Sequence, residues 1–126
     1  MLGKRGVHSD TGCEKPGGHV LRAGGPFNYP TEMAPAPNGD LYVTDGYRNC
    51  RVHRFSGDGR LKESWGTPGK GDDQYHLPHS IAIDSKGNLY TTEKWEGKRL
   101  QKFAYKGIKA VTAGYQGVVR PGATGK

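Results

Sequence analysis

Long apolar runs are missing from this sequence. Nothing in it approaches the roughly 20 consecutive apolar residues that a membrane-spanning helix needs, and hydrophobic residues make up only 33% of the chain. The opening MLGKRGVHSD carries positive charge with no apolar stretch behind it, so it does not read as a signal peptide. The compartment stays open: the protein is cytoplasmic, or an export segment lies outside this stretch. Cysteine is scarce too. Cys13 and Cys50 are the only two, too few for a disulfide framework. Two independent thiols are the expectation, and one Cys13–Cys50 bridge is the alternative in an oxidising compartment. Acidic residues number 12 against 19 Lys and Arg, a net charge of +7. The basic residues are scattered from Lys4 to Lys126 instead of forming one arm, so charge alone implies solubility and weak, salt-screened attraction to acidic partners.

Glycine and proline are plentiful, with 21 and 8 copies in 126 residues. That composition suits many short strands joined by turns better than a helical bundle, in one modest domain. The order of the residues says more. Shifted by 48 positions without a gap, FNYPTEMAPAPNGDLYVTDGYRNCRVHRFSGDG lies on YHLPHSIAIDSKGNLYTTEKWEGKRLQKFAYKG. Pro30 meets Pro78, Gly39 meets Gly87, Leu41-Tyr42 meets Leu89-Tyr90, Arg51 meets Arg99 and Phe55 meets Phe103. The match extends to Gly66 and Gly114, placing GRLKESWG over GIKAVTAG.

Each copy predicts four short strands. In the first they fall near Thr31–Ala34, Leu41–Thr44, Cys50–Phe55 and Leu61–Trp65, separated by the turn signals PNGD, DGYRN and SGDG. Val52 and Phe55, like Leu100 and Phe103, are the expected apolar anchors. Four antiparallel strands per unit at a period in the forties is the signature of a propeller blade. The expectation is an all-β, partial β-propeller of two four-stranded blades. Residues 1–26 form the end of a preceding blade and a long loop, 27–66 one blade, 67–114 a linker and second blade, and 115–126 a flexible tail.

The pattern D-x-x-N-x-R-V-x-x-F, at Asp45, Asn49, Arg51, Val52 and Phe55, resembles the NHL repeat. The second copy drifts to Glu93, Gly97, Arg99, Leu100 and Phe103. More narrowly, PTEMAPAPNGDLYVTDGYRNCRVHRF, followed by SWG and LPHSIAID, resembles the propeller of peptidyl-α-hydroxyglycine α-amidating lyases and related bacterial NHL proteins. That resemblance implies a substrate peptide ending in α-hydroxyglycine, cleaved at its C–N bond to a peptide amide and glyoxylate. It implies a zinc ion on three histidines, a tyrosine base and a positioning arginine. Tyr47, in DGYRN, matches the tyrosine, and His79, in LPHS, matches one zinc ligand. Their repeat partners are Trp95 and Thr31, so a blade by itself requires neither a phenol nor an imidazole at these places.

The other expected parts have no counterpart. A catalytic zinc takes three protein ligands and an open position, and one imidazole does not supply them, so the isolated monomer is not expected to catalyse the lyase reaction. His53 and His76 read as solvated or structural, while His8 and His19 lie in the long loop without a ligand spacing. Asp45 and Arg51, reproduced by Glu93 and Arg99, read as a tie within each blade, and Arg48 and Arg54 as solvated. NHL-type propellers close with about six blades, so two blades leave edges open to self-association, and three copies would complete a ring with three His79 side chains at its axis. The alternative function is a non-catalytic module binding protein or RNA through a basic face that includes Arg48, Arg54, Lys94 and Lys98.

Overall fold

The turn signals fall where the chain reverses. In the computed structural model, which describes residues 2–105 and the backbone of residues 119–123, every element is a strand. The first sheet runs β1 (Pro30–Pro35), β2 (Leu41–Asp45), β3 (Arg51–Phe55) and β4 (Leu61–Trp65), antiparallel and in sequence order. A short parallel pair, β5 (Thr67–Pro68) and β6 (Gln74–Tyr75), carries the chain across. The second sheet places β7 (Pro78–Ile83), β8 (Leu89–Glu93), β9 (Leu100–Tyr105) and β10 (Val119–Ala123) in the same antiparallel order. The β1–β2 and β7–β8 turns are built alike, with Gly39 and Gly87 at φ 89° and 86°, a conformation glycine adopts without a Cβ penalty.

These are two blades of a partial NHL-type propeller. The expected fourth strand of the second blade, GIKAVTAG, lies outside the described residues; the backbone paired with β9 is Val119–Ala123, within the stretch read as a tail.

The blades stack face to face. Tyr42, Cys50, Val52 and Trp65 from the first blade meet Tyr75, Ile81, Leu89 and Phe103 around the second. The Trp65 indole N–H donates to the Tyr75 hydroxyl at 3.2 Å. The opposite face of the first blade is covered by the N-terminal segment. Phe27 sits edge-on to His53 and packs on Phe55, with ring centroids 4.9 and 5.8 Å away. Gly3 lies against the Phe27 ring as Gly66 lies against the ring of Tyr75, its partner 48 residues on.

This stacking order corrects three expectations. Leu100 is 59% exposed although its repeat partner Val52 is fully buried. Successive blades bury opposite faces, and among the described residues nothing covers the Leu100 face of the second blade. Arg54, expected in solvent, is fully buried, two residues along β3 from Val52 and so on the same face, the one Val52 turns to the core between the blades. Its Nε donates to Asp40 Oδ2 at 2.7 Å, and Lys62 Nζ lies 3.2 Å from the same oxygen. A charge taken out of water must be paired in this way. Asp45 does not hold Arg51: its carboxylate receives the Asn28 backbone N–H at 3.0 Å and the Asn49 amide at 2.8 Å, and lies 3.1 Å from His53 Nε2. In the second blade Glu93 does pair with Arg99, but its other oxygen takes the His76 backbone N–H at 2.8 Å. What recurs at 48 residues is the carboxylate holding the chain at position 28 or 76, just before the inner strand begins.

Candidate active site at the inner rim

Each inner strand starts in the same manner. Tyr29 and Leu77 take left-handed backbone, φ 64° and 51°, and Pro30 and Pro78 open β1 and β7. The ladder then slips by one residue. Pro30 pairs with Asp45 and Glu32 with Thr44, while Pro78 pairs with Glu93 and Ser80 with Thr92. Thr31 and His79 are the extra residues in these two bulges. A bulge re-aims its side chain out of the ladder, which lets position 79 look inward instead of into a sheet face. In the first blade Thr31 uses the place to join the blades, its hydroxyl lying 3.0 Å from the Pro78 carbonyl oxygen and 2.8 Å from Thr44 Oγ1. At His79 the same place carries an imidazole.

Tyr47 is brought to it by the β2–β3 turn. Gly46 has no side chain because there is no room for one: a Cβ there would lie 1.9 Å from the Pro78 carbonyl oxygen. With that close approach the Tyr47 hydroxyl reaches 3.0 Å from His79 Nε2, and the two rings meet edge to face with centroids 5.5 Å apart at 87°. Both side chains are half-buried. His79 Nδ1 lies 3.3 Å from Ser80 Oγ. With Nδ1–H donating to Ser80, the Nε2 lone pair accepts the phenol proton, and both rings are satisfied.

A strap formed by residues 11–24 fixes the turn from above. The Gly17 N–H donates to the Tyr47 carbonyl at 2.6 Å, the Thr11 hydroxyl to the Arg48 carbonyl at 2.5 Å, and Arg48 Nε to the Cys13 carbonyl at 2.7 Å. The Arg48 guanidinium lies 5.6 Å over the Tyr29 ring. Arg48 is therefore a structural tie. Cys13 and Cys50 are free, buried thiols, and burial pushes the Cys50 thiol up to about 12.

The structure thus brings Tyr47 and His79 together, and among the described residues no further ring packs against His79. Among the described residues His79 belongs to no group of three metal donors, so the residues present do not make a zinc site on their own. Ser80 and Gly46 were overlooked in the sequence, although each adjoins a quoted motif residue. Gly46 differs from its repeat partner Lys94, and that difference was the available signal.

Comparison with known proteins agrees with this architecture. The NHL repeat family matches residues 27–55. The chain is 34% identical over 82 residues to mouse peptidyl-glycine alpha-amidating monooxygenase, covering 61% of this chain and 8% of that protein. It is 31% identical over 80 residues to a probable peptidyl-alpha-hydroxyglycine alpha-amidating lyase of Caenorhabditis elegans, covering 62% and 23%. It is 32% identical over 79 residues to human NHL repeat-containing protein 3, covering 61% and 22%. The chain spans less than a quarter of the length of each of these relatives.

Proposed function

We propose that this NHL-repeat chain supplies part of a carbon–nitrogen lyase site for peptides ending in α-hydroxyglycine, with Tyr47 as the base and His79 as one ligand of a zinc ion. The observation that carries the reading is the 3.0 Å approach of the Tyr47 hydroxyl to His79 Nε2 across two sequence-distant elements; with the Nε2 lone pair given to a zinc ion held by His79, the Tyr47 hydroxyl would be released from it, free to serve as the base. A phenolate at Tyr47 would take the proton of the substrate hydroxyl. The C–N bond would then break, with the amide nitrogen collecting a proton as the peptide amide leaves and the carbonyl of glyoxylate forming. The further metal donors lie outside the described residues, in additional blades or other copies of the chain. The isolated monomer is inactive on this reading.

The test is a transplant. Residues 27–105 replace the matching segment of the Caenorhabditis elegans relative, and glyoxylate release is measured. Release is expected, with Tyr47→Phe and His79→Ala in the chimera each lowering the rate by about 10²-fold or more, the usual scale for a lost general base. A folded chimera that releases no glyoxylate, or one indifferent to Tyr47→Phe, refutes the reading. The alternative of a basic RNA-binding face is weakened by the burial of Arg54 and the tethering of Arg48, which leave Lys94 and Lys98 exposed. Steeply salt-dependent RNA binding by the chain would favour it instead.

A further inference from the structure

A second set of donors lies apart from Tyr47 and His79 and does not depend on the function proposed for them. His19 comes from the strap, His76 from the connection between β6 and β7, and Glu96 from the β8–β9 turn. One ligand atom from each lies within 4.8 Å of the other two. The His19 and His76 rings are 5.5 Å apart between centroids, and His19 Nε2 is 3.6 Å from Glu96 Oε1. A tetrahedral zinc ion, at 2.0–2.1 Å from nitrogen and oxygen ligands, would hold such donors about 3.3 Å apart. His19 and Glu96 are exposed side chains, so rotation about their χ angles can close the difference without moving the backbone.

The backbone beneath two of the donors is already held. The His76 N–H is fixed by Glu93 at 2.8 Å, and Leu77 after it is 2% exposed. On the strap, Val20 packs against the core beside His19, and a Cβ at Gly17 would overlap the Trp95 indole at 1.5 Å. The strap therefore rests on the turn that carries Glu96. The repeat does not explain the donors. Positions 28 and 48 of the first blade, the counterparts of 76 and 96, hold Asn28 and Arg48, which serve as buried packing and a backbone tie. Lys70 lines the same cleft of about 180 Å³. Its charge opposes a bare cation and favours an anionic or hydroxide ligand at the fourth position.

We propose that His19, His76 and Glu96 bind one divalent ion of the zinc class, and that this ion clamps the N-terminal strap to the second blade. Two imidazoles and a carboxylate suit zinc and its spectroscopic surrogate cobalt rather than calcium or magnesium, which prefer all-oxygen sites.

The test uses the full 126-residue chain, stripped with a chelator and titrated with Zn²⁺ by calorimetry and with Co²⁺ by visible absorption. Trypsin cleavage of the strap after Arg22, which is followed by Ala23, is monitored in parallel. One equivalent of metal and metal-dependent protection of the strap are expected. His19→Ala and Glu96→Gln should each weaken binding by at least about tenfold and cancel the protection, while His8→Ala, at an exposed histidine outside the cluster, leaves both unchanged. Failure to bind stoichiometric metal, binding that survives His19→Ala and Glu96→Gln, binding lost in His8→Ala, or binding without protection of the strap would each overturn the proposal. Circular dichroism of the variants, whose altered residues are on the surface at positions 19 and 96, separates these results from misfolding.

Discussion

Replacing Gly46 with alanine tests how the two halves of the inner rim are joined. The new Cβ would sit 1.9 Å from the Pro78 carbonyl oxygen, 2.8 Å from its carbonyl carbon and 3.0 Å from its nitrogen. All three are backbone atoms at the start of β7, so no flexible side chain can swing away. Overpacking costs about 1–3 kcal/mol, and a backbone-on-backbone clash belongs at the upper end of that range. At about 3–6 °C per kcal/mol, between the scales for smaller and larger domains, a cost of about 3 kcal/mol lowers Tm by about 9–18 °C. Relief comes only if the β2–β3 turn withdraws from β7, and that movement pulls Tyr47 from His79. The assay is thermal unfolding by circular dichroism, with the exposed Ser85→Ala as a control expected to change stability by less than about 0.5 kcal/mol. In the glyoxylate-releasing chimera, Gly46→Ala should also lower the rate. A Gly46→Ala chain that melts within about 3 °C of the parent, on the same scale, would refute the claim that this close approach sets the rim.

The buried Arg54 should be costly to remove. Arg54→Met leaves the Asp40 carboxylate with Lys62 alone and is expected to destabilise by about 3 kcal/mol, the lower end for a broken buried pair, with Asp40→Asn in the same chain recovering part of the loss in urea denaturation. Burial raises the pKa of Asp40, but hydrogen bonds from Arg54 and Lys62 and their charges outweigh it, so the folded value lies below 3.8. Its contribution is therefore fully present above about pH 4 and is lost as pH falls through the depressed folded value. The Asp40→Asn chain should show a flatter acid limb. Cys50, raised to about 12, should carry about one thiolate in 10⁴ at pH 8 and resist thiol reagents until the protein unfolds. Rapid labelling at Cys50 in the native chain, located by peptide mass mapping, would contradict that burial.

The period of 48 residues was legible because each blade repeats its turns. PNGD and SKGN both need a glycine at positive φ, and alternation of apolar and polar residues between such turns leaves little choice but strands. Tyr47 and His79 were legible as candidates because the repeat puts Trp95 and Thr31 opposite them, so their chemistry exceeds what a blade requires. The fate of individual charges was not legible. Arg54 and Lys102 are repeat partners with similar side chains, yet Arg54 is buried against Asp40 and Lys102 lies 5.6 Å over the Tyr90 ring. The difference arises from which face the neighbouring blade covers. Leu100 and Val52 differ for the same reason.

The amino-acid order by itself therefore determined the turns, the tandem blades and seven of their strands, β1 to β4 and β7 to β9, because these depend on propensity and spacing within a few residues. Tertiary structure alone decided that a bulge and a missing Cβ bring a phenol and an imidazole to 3.0 Å, and that His19, His76 and Glu96 converge. Distances between residues so far apart in the chain are set by how sheets stack and how loops cross them, and no local pattern encodes that.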